Sequence, residues 1–150
     1  MLKKIKKKER KQMKRAKGFT LVELVIVIVI VGILSIVAVP IYRGYTRKAM
    51  GTEAKSLLGS IQTAQKVYYA EYATFLNLGT ESSFSEALDV DARSNKYFKT
   101  FKVTTIGDAT NPGFQAETTG DDNSAASGIS MTLKAYKSGD PVWTDAGLNS

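Results

Sequence analysis

Two residues near the start of this chain invite chemistry, a glycine at the edge of an apolar run and a carboxylate inside it: Gly18 and Glu23. From Val25 to Val39 no side chain carries a charge, and Pro40 closes the stretch. A charge inside a membrane helix costs on the order of 2.5–3.5 kcal/mol at the centre and less near an end. Glu23 therefore either reaches back to headgroup water or answers a functional need. Gly18 is the one small residue where basic sequence gives way to apolar sequence, and hydrolysis after it would free the amine of Phe19. That amine stands four residues before Glu23, one helical turn away on the same face. It can neutralise its own glutamate or that of a neighbouring copy, and the sequence leaves both pairings open.

Other chemistry-bearing residues form no such constellation. The chain has no histidine and no cysteine, which removes histidine-based triads, the usual zinc sites and disulfides. Serines, lysines and aspartates are present, but no motif marks a nucleophile, base or orienter, and no enzymatic activity is expected. Asp121-Asp122-Asn123 with Asp108, Asp140 and Asp145 offer oxygen ligands without any EF-hand spacing, so they read as solvated loops and no metal or cofactor is expected. Five of the seven tyrosines fall on or at the entry of one long helical pattern, where packing accounts for them without a conducting role.

The element that positions Gly18 and Glu23 is a helix. Phe19 to Val39 is 21 residues, roughly 31 Å as an α-helix, enough to cross the hydrocarbon of a bilayer. Ten lysines and arginines lie between Lys3 and Lys17, with Glu9 the only acid, so this end stays in the cytoplasm. A secretory signal is cut after its apolar core at a small-x-small sequence, which Pro40-Ile41-Tyr42-Arg43 does not offer. Cleavage at Gly18 instead removes the basic leader and keeps the helix. The net charge of +7 belongs to that leader, because the chain after Gly18 holds 11 basic against 13 acidic side chains. Beside a span the lysine run sets topology, and no nucleic-acid partner is expected.

Lys17-Gly18 followed by Phe19-Thr20-Leu21-Val22-Glu23-Leu24 resembles the processing motif of type IV prepilins and of the related pseudopilins of type II secretion. The resemblance covers about the first third of the chain. It implies cleavage after Gly18 by a membrane prepilin peptidase that also N-methylates Phe19. It implies storage in the inner membrane as a single-pass protein, N-terminus cytoplasmic and head periplasmic or extracellular. Assembly into a cell-surface pilus would follow, with identical or homologous pilin subunits, an assembly platform and a motor ATPase as partners. In the family's assembly scheme the glutamate of an incoming subunit meets the amine of one already in place, which assigns Glu23 to assembly. The alternative is a type II secretion pseudopilin in a periplasmic pseudopilus. Adhesion, motility, DNA uptake and conduction belong to the assembled system, and the sequence does not choose among them. Many pilins close their C-terminal region with a cysteine pair, and this chain departs from that.

The expected fold class is α+β and type IV pilin-like: a long N-terminal α-helix, its first half transmembrane, packed on a small antiparallel sheet. Residues 1–18 read as leader, 19–40 as the transmembrane or filament-core half of the helix, 41–75 as its amphipathic half, and 76–150 as a head with a short helix and a sheet. Leu24 to Val39 is apolar all round and must be enclosed by lipid or by other helices. Gly32 and Pro40 are its weak points, costing about 1 and about 3 kcal/mol relative to alanine in a regular interior. Beyond Pro40, Ile41, Tyr45, Ala54, Leu57, Leu58, Ile61, Ala64, Val67, Tyr68, Tyr72 and Phe75 recur at helical spacing and predict one buried face, with Arg43, Arg47, Lys48, Glu53, Lys55, Lys66 and Glu71 mostly filling the other positions. Ser83-Phe84-Ser85-Glu86 predicts a capped short helix over about Phe84 to Asp89. Strands are expected over Tyr97–Ile106, Phe114–Thr119 and Ile129–Tyr136, with Val142 and Trp143 as an edge strand or core cover.

Overall fold

The computed structural model describes residues 18–148. The leader expected over 1–18 thus lies almost wholly outside the described residues. α1 spans Leu21–Tyr72, 52 residues, and runs unbroken through Pro40. Its run of Val, Ile and Leu from Leu21 to Val39 is exposed on every side, long and apolar enough to cross a membrane.

Further along α1 the helical period selects what is buried. Ala54, Leu57, Leu58 and Ile61 join the core, as their spacing predicts. Ile41, Tyr45, Val67 and Tyr72 do not; they are exposed, because none of the described residues covers them. Two residues assigned by spacing to the polar face turn inward. The Arg47 guanidinium donates to the Gly147 carbonyl at 2.6 Å, and the Glu53 carboxylate accepts the Tyr97 and Phe98 N–H groups at 2.6 and 2.9 Å. α1 stops three residues before the expected Phe75. Ala73 takes φ 57°, a left-handed value that ends the helix. Gln65, fully buried, fastens the returning chain, with its carboxamide donating to the Leu76 carbonyl and accepting the Leu76 N–H.

The segment expected to be a short helix is a small hairpin. β1 (Phe84–Ser85) pairs antiparallel with β2 (Val90–Asp91). The Ser82 hydroxyl donates to the Phe84 carbonyl and accepts the Phe84 N–H, and Asp89 takes φ 50°. These local bonds give the backbone an alternative to the helix that the Ser83 and Glu86 spacing suggests.

β3 (Lys102–Gly107), β4 (Pro112–Thr119), β5 (Ser130–Tyr136) and β6 (Val142–Ala146) form an antiparallel meander in chain order. Register places Val103 opposite Ala116, Ala116 opposite Leu133, and Leu133 opposite Trp143, a row across one face. The first three are buried against the sheet's core side and Trp143, on the edge strand, is partly open. The period-two alternation of Ile129, Met131, Leu133 and Ala135 is buried as predicted. β3 begins five residues later than expected, since Tyr97 and Phe98 spend their N–H groups on Glu53. Phe75 stacks on Tyr69 and meets Phe114, with ring centroids 4.6 and 5.3 Å apart, tying the end of α1 to the sheet.

Candidate functional site

The first turn of α1 sets the surroundings of Glu23. Thr20 is its N-cap: the Thr20 hydroxyl accepts the Glu23 N–H at 3.2 Å, and the Thr20 carbonyl accepts the Leu24 N–H at 3.3 Å. Glu23 is therefore the third helical residue, where unpaired N–H groups and the aligned peptide dipoles make the environment positive and favour a carboxylate. Thr20-x-x-Glu23 is the spacing of a capping box, a signal present in the sequence that starts the helix after Thr20 rather than at Phe19, where the apolar run begins. Gly18 and Phe19 precede the helix, and Phe19 is 76% exposed. Phe19 thus sits just outside the cap, and its distance from Glu23 is not fixed by the helical repeat.

Along the apolar run, a Cβ built on Gly32 meets nothing within 4 Å. No packing among the described residues requires a glycine there, and the missing side chain leaves room for another helix to approach. Pro40 has no N–H to give the Ile36 carbonyl, yet the helix continues. Ser35 satisfies its hydroxyl within the helix, donating to the Val31 carbonyl at 2.7 Å.

Two of the acids that offered a cation site, Asp108 and Asp121, have other work. Asp108 accepts the Thr110 and Asn111 N–H groups, and these, that of Asn111 first, hold its carboxyl below the usual range. Asp121 is lowered by the Asn123 N–H and by Lys99, 3.5 Å away. Asp91 is held down at about 2, chiefly by its side-chain hydrogen bond to Arg93. Among the described residues, no group of three or more histidine, cysteine, aspartate or glutamate side chains is placed to hold a metal ion. A cleft of about 380 Å³ contains Glu81, Lys99, Thr100 and Asp121. There the Thr100 hydroxyl donates to Glu81 and Lys99 pairs with Asp121, so these groups hold the loops together.

The chemistry of the N-terminal stretch is thus that of a capped apolar helix with one carboxylate in its first turn, preceded by a glycine and an exposed aromatic residue. No curated protein and no solved structure matches the chain. The family model for the prokaryotic N-terminal methylation motif matches residues 13–39, which takes in Gly18, Phe19, Thr20 and Glu23. The chain carries a type IV pilin-like class III signal peptide, the mark of a precursor of the pilin or pseudopilin kind.

Proposed function

We propose that this chain is a structural subunit of a bacterial type IV pilus, cleaved after Gly18, N-methylated at Phe19 and assembled through α1. The observation that carries this reading is the join of the methylation motif to an apolar helix exposed on every side, with a single carboxylate in its first turn. Lipid encloses that surface in the stored precursor, and the helices of other copies enclose it in a filament. Lipid and helix are similarly apolar, so transfer between them has little hydrophobic driving force and calls for a motor. Glu23 meets the amine of Phe19 from its own or a neighbouring chain. Either partner left alone in a low dielectric is penalised, which sets the register of one subunit on the next. Gly32 and Pro40 are the points at which the helix gives during extraction.

The test is intact mass and N-terminal sequencing of protein sheared from the surface of producing cells. Chains beginning at methylated Phe19 in long filaments are expected. Processed chains found only in the membrane fraction would favour the type II secretion pseudopilin. A retained leader in functional protein would overturn both readings.

A further inference from the structure

Folding of the single chain leaves two surfaces of α1 uncovered, and their charges are opposite. Ile41 and Tyr45 are 54% and 69% exposed. With Lys48, Thr52 and Lys55 they recur at steps of four, three, four and three residues, which is one stripe along a helix. No acidic side chain ion-pairs with Lys48 or Lys55 among the described residues, although Asp145 lines the same groove. The second surface is a cleft of about 350 Å³ between α1 and the turn joining β1 to β2. Val67, Tyr68 and Leu88 line its apolar part, and Glu71 and Asp89 supply its charge, with Glu86 exposed in the same turn. None of these three acids is ion-paired among the described residues, and Lys66 falls on the opposite side of α1 by helical phase.

We propose that the Ile41–Lys55 stripe of one copy seats in the Glu71 and Asp89 cleft of a second copy, a head-to-tail contact that rests on the filament reading above. Apolar side chains meet apolar side chains, and the lysines meet carboxylates. One chain cannot make the contact with itself. Tyr45 and Val67 lie on the same helix, 22 residues apart, or ~33 Å at 1.5 Å per residue. The two surfaces differ, so the contact is heterologous and need not close after two copies. It repeats, with parallel contacting copies displaced axially by ~33 Å, a shift that also sets Lys48 of one copy against Glu71 of the next.

The chain has no cysteine, so an introduced pair reports without background. The full-length chain carrying Tyr45→Cys and Val67→Cys together is expressed in producing cells and oxidised, and sheared and membrane fractions are resolved without reductant. The expected result is a ladder of dimers, trimers and larger species from the sheared fraction, absent from either single variant. Processed filaments without a ladder, or a product that stops at dimer, would overturn this docking and leave the filament reading standing. Processed chain confined to the membrane as monomer would overturn both. Charge reversal supplies a second readout at exposed positions. Lys48→Glu or Glu71→Lys alone should weaken the ladder, and the two together should restore it; a double variant no better than the singles counts against the contact.

Discussion

At the scale of single residues, polar side chains here are valued by what they would leave behind. Glu23 is exposed in the first turn of a long helix whose core contacts lie further along, so its loss does little to the fold of one chain and much to pairing between chains. Glu23→Val should be inserted and processed normally yet yield few or no filaments, as read from processed mass in the membrane fraction and electron microscopy of the surface. Ordinary filaments from this variant would remove Glu23 from assembly. Gln65 is the opposite case, a side chain whose value is internal. Replacing it with leucine strands the N–H and carbonyl of Leu76, which it satisfies at 3.0 and 2.8 Å. A buried unpaired group costs about 1–3 kcal/mol. For a domain of this size that lowers the melting temperature by roughly 5–15 °C, measurable by circular dichroism.

At the scale of elements, boundaries are where local geometry overrides pattern. Ala73 ends α1 at φ 57°, a conformation that glycine adopts without the Cβ penalty. Ala73→Gly should stabilise the protein by about 0.5–1 kcal/mol despite glycine's greater unfolded entropy, because the native strain is relieved; denaturant unfolding at unchanged slope would show it. The same distinction explains what could be read from sequence. The period of α1 between Ala54 and Ile61 and the alternation along β5 are repeated signals, and both appear as expected. Ser83 and Glu86 carry only the start signal of a helix, with too few residues behind it to outweigh the hydrogen bonds that Ser82 makes to Phe84. The late start of β3 depends on Glu53, more than forty residues away in sequence, which no local window contains. Thr20 was legible, since Thr20-x-x-Glu23 is a capping spacing, but the apolar run drew the helix start to Phe19. The exposed Ile41, Tyr45, Val67 and Tyr72 show the limit of periodicity: it identifies a face to be covered without saying which molecule covers it.

At the scale of the whole molecule, the titration behaviour follows from composition and from three turns. Without histidine, no side chain of ordinary pKa changes charge between about pH 5 and 8, so thermal stability should be level across that range. Asp91, Asp108 and Asp121 have folded pKa values below their usual 3.8. The folded form therefore binds their protons more weakly than the unfolded form. Their stabilisation is present above pH 3.8 and lost as pH falls through the folded values, toward about 2 for Asp91. Melting temperature against pH should bend downward only below about pH 4, and Asp91→Asn should flatten part of that fall. A bend above pH 5 would assign acid sensitivity to another group. The Arg47 guanidinium holds the Gly147 carbonyl across 100 residues of sequence, and a Cβ on Gly51 would meet Leu148 Cδ2 at 2.8 Å, so the last described residues lie on the middle of α1. Closing so long a loop weighs more on the rate of folding than on stability. A chain delivered from its N-terminus holds Arg47 and Gly51 in place long before their partners follow. The strap therefore waits on the sheet strands between them, so its closure reports the end of folding of this head rather than its start.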